Sequence, residues 1–212
     1  MRKSATNDDV LSTREAAERL GVALRTVQLW VEAGVLPAWK TAGGHRRISR
    51  AAVERLIGER RAALSGEPLR IAGAEAPDRS SDGRLKMMVV EDEPDLLRLF
   101  TLVIAGWHLP IELTPACDGF DALLRMGRHR PDLLVTDLNM PGMDGFRMIA
   151  TLRGAEAAFD AMEIVVVTAL SEAEIARRGG LPAGVRVFHK PVPFDALEAL
   201  VRERVAALAA AV

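Results

Sequence analysis

The chain has 212 residues, of which 49% are hydrophobic, a formal net charge of -1 and a single cysteine, Cys117. That composition is apolar enough for folded cores, excludes an internal disulfide and fits a reducing compartment. The opening MRKSATNDDV carries no apolar stretch behind its charges, and no apolar run approaches the ~18 residues that span a bilayer. A secreted or membrane-spanning protein is therefore not expected, and a cytoplasmic location is. The small net charge conceals two halves of opposite sign. Residues 11–61 hold 10 Lys+Arg against 5 Asp+Glu (+5), whereas residues 87–212 hold 12 against 18 (-6). One half suits a polyanion and the other a cation.

In the first half, residues 13–20 (TREAAERL) place Ala16, Ala17 and Leu20 on one face of a short helix, and Gly21 turns the chain. Residues 24–33 form a second helix, with Val27, Trp30 and Val31 inward, Arg25, Thr26 and Gln28 outward, and Gly34 at its end. Two short helices around a tight turn are helix-turn-helix geometry, in which the second helix enters the major groove of duplex DNA. In WKTAGGHRRIS, Gly43–Gly44 supplies a hairpin turn, and His45, Arg46 and Arg47 lie on the returning strand. A two-stranded wing carrying arginines beside a recognition helix clamps phosphates. SRAAVERLIGERRAAL adds a third helix that closes the small core. The plainer alternatives are Arg25 as a solvated helix residue and the arginine pair as a solvated strand edge, and His45 is too isolated for a metal ligand.

TREAAERLGV, RTVQLWVEAGVLP and GGHRRI, in that order, resemble the winged-helix DNA-binding domain of the MerR and excisionase-like superfamily. The resemblance implies that Arg25 and Thr26 lie at the groove and that Lys40, His45, Arg46 and Arg47 reach the DNA backbone from the wing. It puts Gln28, also at the DNA surface, where a base is common, which removes a phosphate contact. Ala23 replaces the hydroxyl expected to cap the recognition helix, costing about 0.5–2 kcal/mol locally. The long effector helix and the cysteines of metal-sensing relatives are absent from the sequence, so no metal or drug sensor is implied. Residues 1–63 are thus expected to be a DNA-binding domain. Residues 64–84, rich in Gly, Ala, Ser, Pro and charge, are expected to be a flexible linker spanning roughly 25 Å.

From Leu85 onward, apolar strands alternate with helical patterns. LKMMVV, IELT, PDLLVTD, EIVVVTA and VRVFHK read as strands; EPDLLRLFTLVIAG, GFDALLRMGRH, GFRMIATLRG, SEAEIARRGG and PFDALEALVRERVAALAAA read as helices. This is an α/β fold, a five-stranded parallel sheet with helices on both faces, whose functional crevice lies beyond the carboxyl ends of the strands. Glu91 and Asp92 end the first strand, Asp137 the third, Thr168 the fourth and Lys190 the fifth. Three converging carboxylates repel one another unless a hard divalent cation such as magnesium joins them. A hydroxyl and an ammonium nearby suit the oxygens of a phosphoryl group. The cluster reads as a site where a carboxylate becomes phosphorylated. Singly, each residue has a plainer reading: a helix cap, a strand former, a solvated rim charge.

VVEDEP, VTDLNMPGMDGF, VVVTA and HKPV, in order over residues 85–212, resemble the receiver domain of bacterial response regulators, a flavodoxin-like (βα)5 fold. The resemblance makes Asp137 the phosphoacceptor. It has Asp92, Asp137 and the main-chain carbonyl of Asn139 ligate Mg2+, with Glu91 acting through water, and has Thr168 and Lys190 bind the phosphoryl group. It also implies a cis Lys190–Pro191 bond. One position departs from the pattern: Val187 stands where the switch aromatic is usual, and strand alternation turns Phe188 to the opposite face. A haloacid-dehalogenase-type phosphatase shares the acidic pocket but needs a second Asp two residues after the nucleophile, where this chain has Asn139.

The expected protein is therefore not an enzyme but a DNA-binding response regulator. It is phosphorylated by a sensor histidine kinase or phosphotransfer protein and controls transcription through duplex DNA. The alternatives are an excisionase-like architectural protein and a phosphorelay intermediate. Residues 194–210 have two readings: Leu197, Leu200, Val201, Val205 and Leu208 make a stripe wide enough either for a phosphorylation-dependent homodimer or, equally, to be wholly core on the sheet.

Overall fold

The computed structural model describes residues 9–22, 24–32, 36–41, 44–65, 83–126, 130–154, 159 and 161–210. The expectations placed on Ala23, Ala33, Gly34, Gly43 and most of the linker, residues 66–82, lie outside the described residues. The chain divides into two compact units, residues 1–69 and 70–212.

In the first unit, β1 (Val10–Leu11) leads into α1 (Thr13–Leu20), followed by α2 (Leu24–Glu32), β2 (Ala38–Lys40), β3 (Arg46–Ser49) and α3 (Arg50–Ser65). Ser12 and Glu15 form a reciprocal capping box at the start of α1, and Gly21 ends it in the left-handed conformation, φ 65°. Ala16, Ala17, Leu20, Val27, Trp30, Leu36, Ile48, Ala52, Val53 and Leu56 form the buried core. The structure departs from the expected elements in three respects. A third strand, β1, pairs antiparallel with β3 through Val10↔Ser49 and Leu11↔Ile48, giving the order β1-β3-β2. Two residues are too short to show strand periodicity, so only their tertiary partner reveals them. The last helix runs to Ser65, past the expected domain boundary at 63. Val31 is half-buried rather than buried.

The second unit contains β4 (Leu85–Val90), α4 (Pro94–Gly106), β5 (Ile111–Ala116), α5 (Gly119–Met126) and β6 (Leu133–Thr136). It continues with α6 (Gly145–Gly154), β7 (Glu163–Thr168), α7 (Glu172–Arg177), β8 (Arg186–His189) and α8 (Phe194–Ala210). Among the described residues the sheet has five strands in the order β5-β4-β6-β7-β8, every neighbouring pair parallel. The order reverses beside β4, so the chain leaves β4 and β6 in opposite directions and opens a crevice at their carboxyl ends. β5 is longer than the expected IELT because it continues through Pro115. At the sheet edge, a residue without an N–H costs no ladder bond.

Alternation along the strands sorts the core into two layers. Met87, Val89, Leu133, Val135, Val165 and Val167 face α4 and α8, where Phe100, Ile104, Leu197, Leu200 and Val201 complete one cluster. Phe100 and Phe194 meet edge to face with centroids 5.3 Å apart. Phe188 packs on this cluster, so it does turn away from the face of Val187, as alternation requires. The α8 stripe is corrected here: Leu197, Leu200 and Val201 are buried, and Val205 and Leu208 pack against the same cluster. The stripe is core because α8 lies lengthwise on the sheet, and it supplies no argument for a dimer. No helix among the described residues is long and apolar enough to cross a membrane.

Candidate functional site: an acidic cluster at the strand ends and a basic helix-turn-helix unit

β4, β6, β7 and β8 deliver Glu91, Asp137, Thr168 and Lys190 to one end of the sheet because each lies at or just beyond its strand's last residue. Backbone bonds from Asp137 N–H to the Val90 carbonyl (3.1 Å) and from Lys190 N–H to the Thr168 carbonyl (2.8 Å) hold the strand ends together. Ligand oxygens of Glu91, Asp92 and Asp137 all lie within 4.8 Å of one another. The Lys190 ammonium donates to Asp137 Oδ2 at 2.7 Å and to Glu91 Oε2 at 2.9 Å. The other oxygen of Asp137, Oδ1, accepts from the backbone N–H groups of Leu138 and Asn139, the latter at 3.1 Å. Thr168 is fully buried, Asp92 is half-buried and Asn139 is exposed. The Lys190–Pro191 peptide is cis. All six residues assigned to this site from the sequence are thus brought to one crevice.

The electrostatics favour a cation. Burial raises the Asp137 carboxyl, but the Lys190 ammonium, the Asn139 N–H and the Thr168 hydroxyl outweigh it and hold the group below its ordinary value. Glu91 goes the other way: burial pushes its carboxyl up despite the bond from Lys190. Burial lowers Lys190, yet its bonds to Asp137 and Glu91 raise it above the ordinary lysine value. Among the described residues, three carboxylates thus face one ammonium, and the most buried of them is left under-neutralised. Oxygen donors with a surplus of negative charge fit a hard divalent ion such as Mg2+. Mg2+ at 100 times its Kd is expected to stabilise this unit by ~2.7 kcal/mol through mass action. Asp92→Asn should remove most of that gain, as read from melting temperature with and without the ion.

The first unit presents a different surface. Arg25 is exposed and Gln28 half-buried on α2, but Thr26 is only 8% exposed. This corrects the outward placement of Thr26: it lies four residues before Trp30, which is fully buried, and so shares its face. In the wing, Thr41 N–H bonds to the His45 carbonyl at 2.9 Å and closes the hairpin. The register pairs Lys40 with Arg46 and Trp39 with Arg47. Arg46 and Arg47 therefore point to opposite faces of the hairpin. Arg47 also donates to the Arg46 carbonyl (3.3 Å). His45 and Lys40 are exposed. Trp39, which the sequence reading did not single out, is 47% exposed; the signal was strand alternation, which sets it opposite the face of Ala38 and Ile48.

Residues 87–202 match the response regulator receiver domain family, and residues 10–61 match a helix-turn-helix domain. The chain belongs to the response regulator receiver domain family. The match of the N-terminal unit is to helix-turn-helix domains at large, which is coarser than the MerR-like label. Among curated proteins, the chain is 31% identical over 116 residues to the transcriptional regulatory protein ZraR of Salmonella typhimurium, covering 55% of this chain and 25% of that one. It is 32% identical over 109 residues to the probable transcriptional regulatory protein TcrX of Mycobacterium tuberculosis, covering 50% and 43%. The chain thus spans less than half the length of these relatives. Among solved structures, it is similar to the signal receiver domain of a DNA binding response regulator protein (merR) from Colwellia psychrerythraea 34H. That match has 25% identity and a TM-score of 0.51, and covers 57% of this chain and 98% of that one. A sensor protein from Polaromonas sp. JS666 matches with the same identity and TM-score over 59% and 98%.

Proposed function

We propose that the protein is a cytoplasmic DNA-binding response regulator of a two-component system. The observation that carries this reading is the meeting of Asp137 with Glu91, Asp92, Thr168 and Lys190 at one end of the sheet, in a chain whose other unit is a basic helix-turn-helix. A phosphohistidine on a sensor kinase or phosphotransfer protein is the donor. An Asp137 carboxylate oxygen attacks phosphorus, the P–N bond breaks, and the imidazole leaves with that electron pair and takes up a proton. Asp92, Asp137 and the Asn139 carbonyl would hold Mg2+, with Glu91 acting through water, and the ion would supply positive charge to offset that gathered on the phosphoryl oxygens. Lys190 keeps the carboxylate ionised and then pairs with the phosphoryl group, while the Thr168 hydroxyl donates to a phosphoryl oxygen. The protein is a phosphoryl acceptor rather than an enzyme acting on an external substrate, and Asn139 supplies no general acid for turnover.

DNA binding belongs to Arg25 and Gln28 on α2 and to Lys40, His45, Arg46 and Arg47 on the wing. The full chain should bind duplex DNA with an affinity that falls steeply with salt, because each arginine or lysine on a phosphate releases counterions. Arg46→Ala or Arg47→Ala should flatten the dependence of log affinity on log salt by about 1, and because the two point to opposite faces, the larger effect names the face that meets DNA. Tryptophan emission offers a local reading: Trp30 is fully buried and Trp107 is 7% exposed, so a change on adding DNA reports Trp39, which shares the Arg47 face of the wing. The decisive experiment is selection of DNA sites by the full chain with Mg2+, with and without beryllofluoride as phosphoryl mimic. A change in affinity between the two states supports the reading. Absence of DNA binding in both states, at low salt, refutes it.

A further inference from the structure

The loop that leaves Asp137 returns to touch it. Asp137 N–H is bound by the Val90 carbonyl, and its own carbonyl oxygen accepts from the Thr136 hydroxyl at 2.8 Å. Residues 138–144 then swing out, and Gly145, the first residue of α6, donates its N–H to the Leu138 carbonyl at 3.1 Å. The first turn of α6 thus rests on the peptide that follows the acidic side chain. There is no space for a side chain at that contact. A Cβ on Gly145 would collide with the Asp137 carbonyl oxygen and lie 2.8 Å from Leu138 Cα and 3.1 Å from the Asp137 carbonyl carbon. The three nearest atoms are all backbone, so no rotamer change relieves the clash with them.

Gly119, the first residue of α5, makes the same kind of contact at the far end of the loop. A Cβ there would lie 2.7 Å from the Met143 carbonyl oxygen, 3.1 Å from Met143 Cγ and 3.3 Å from Met148 Cβ. Neither Gly119 nor Gly145 has a positive φ, so the demand at both is for room rather than for an unusual backbone. Gly154, at the other end of α6, shows the contrast: a Cβ there meets nothing within 4 Å.

We infer that Gly145, backed by Gly119, is a positioning residue for the phosphoacceptor: the two absent side chains let α6 and α5 close on residues 138–144 from both ends and fix the Asp137 carboxylate and the Asn139 main chain relative to Asp92. The inference rests on the reading of Asp137 as phosphoacceptor. Alanine at 145 must push the Asp137–Leu138 peptide away from α6. A misplacement on the order of 1 Å at a reacting group costs up to ~100-fold in rate. The same displacement carries Asp137 and Asn139 away from Asp92 and weakens the shared cation site.

The test uses the full chain as wild type, Gly145→Ala, Gly119→Ala and Gly154→Ala. Calorimetry reads Mg2+ binding, labelling by acetyl phosphate reads phosphoryl transfer, and circular dichroism with the metal-free amide shift of Leu138 reads fold and local geometry. Gly145→Ala is expected to keep its secondary structure, move the Leu138 amide, and lose at least about tenfold in both Mg2+ affinity and labelling rate. Gly119→Ala should lose in the same direction by less, and Gly154→Ala should stay within about twofold of wild type, as a solvent-facing helix-end change should. Wild-type Mg2+ affinity in Gly145→Ala, or an equal loss in Gly154→Ala, overturns the inference. If Gly145→Ala does not fold, Gly119→Ala decides by the same measurements, and wild-type affinity or failure to fold there overturns it too. Wild-type protein that binds Mg2+ yet takes no label would refute the phosphoacceptor reading, while the Mg2+ affinities would still decide the role of Gly145.

Discussion

Asp137→Asn is expected to abolish labelling by a small phosphodonor such as acetyl phosphate. In the wild type one acid-stable, base-labile acyl phosphate per chain should form as Asp137 attacks phosphorus and acetate leaves. A carboxamide has no anionic oxygen to attack with, and Lys190 loses the partner it holds at 2.7 Å. Full labelling of the Asn variant would place the phosphoryl group elsewhere. The same variant carries a pH signature. Asp137 lies below its ordinary value in the folded protein, so its contribution to stability is present above the unfolded value of 3.8 and is lost as pH falls through the folded one. Unfolding free energies of wild type minus Asp137→Asn, measured without metal, should therefore fall as pH drops through and below that window. Glu91, raised by burial, shifts the other way and is coupled to Asp137 by repulsion and through Lys190, so the comparison is made with Glu91→Gln in both proteins.

The second large effect concerns stability and lies away from the phosphoryl site. Arg125 Nε bonds Asp121 Oδ1 at 2.7 Å, with the two side chains 10% and 0% exposed. Asp121 Oδ2 also accepts the Cys117 N–H at 3.1 Å, so this carboxylate ties the turn after β5 to α5. Asp121→Ala leaves a buried guanidinium uncompensated and is expected to destabilise the receiver unit by ~3–5 kcal/mol in denaturant unfolding. Replacing both partners by leucine should recover a large part of that loss, since a buried pair offsets little beyond its own desolvation. Glu198 and Arg202 have the same four-residue spacing, with side chains 27% and 55% exposed. Breaking that pair should cost no more than ~1 kcal/mol. Equal costs for the two pairs would contradict the assignment of the difference to burial.

Much of the receiver was legible before folding because its information is local. The run Leu133–Thr136 is buried on both faces, so its first three positions are apolar and it reads as a central strand. Its length then puts Asp137 at the tip without knowledge of anything else. The misreadings share one cause. Thr26 looks outward beside Arg25 because its hydroxyl is polar, yet its face is set by Trp30 one turn on. Pro115 looks like the end of a strand until the strand is known to be an edge. The leucines and valines of α8 look like a surplus until the sheet beneath them is in place.

The amino-acid sequence by itself determined the two-part layout, the order of strands and helices in the receiver, and the residues at the strand ends. Period, turn residues and length act along the chain, and they are written in neighbouring positions. Only the tertiary structure decided which of two equally spaced ion pairs is buried, which faces Arg46 and Arg47 take, and that Gly145 has no room for a methyl group against the Asp137 carbonyl. Those properties depend on what packs against a residue from distant parts of the chain. Burial and steric contact are set by the partner, and no local pattern carries the partner's position.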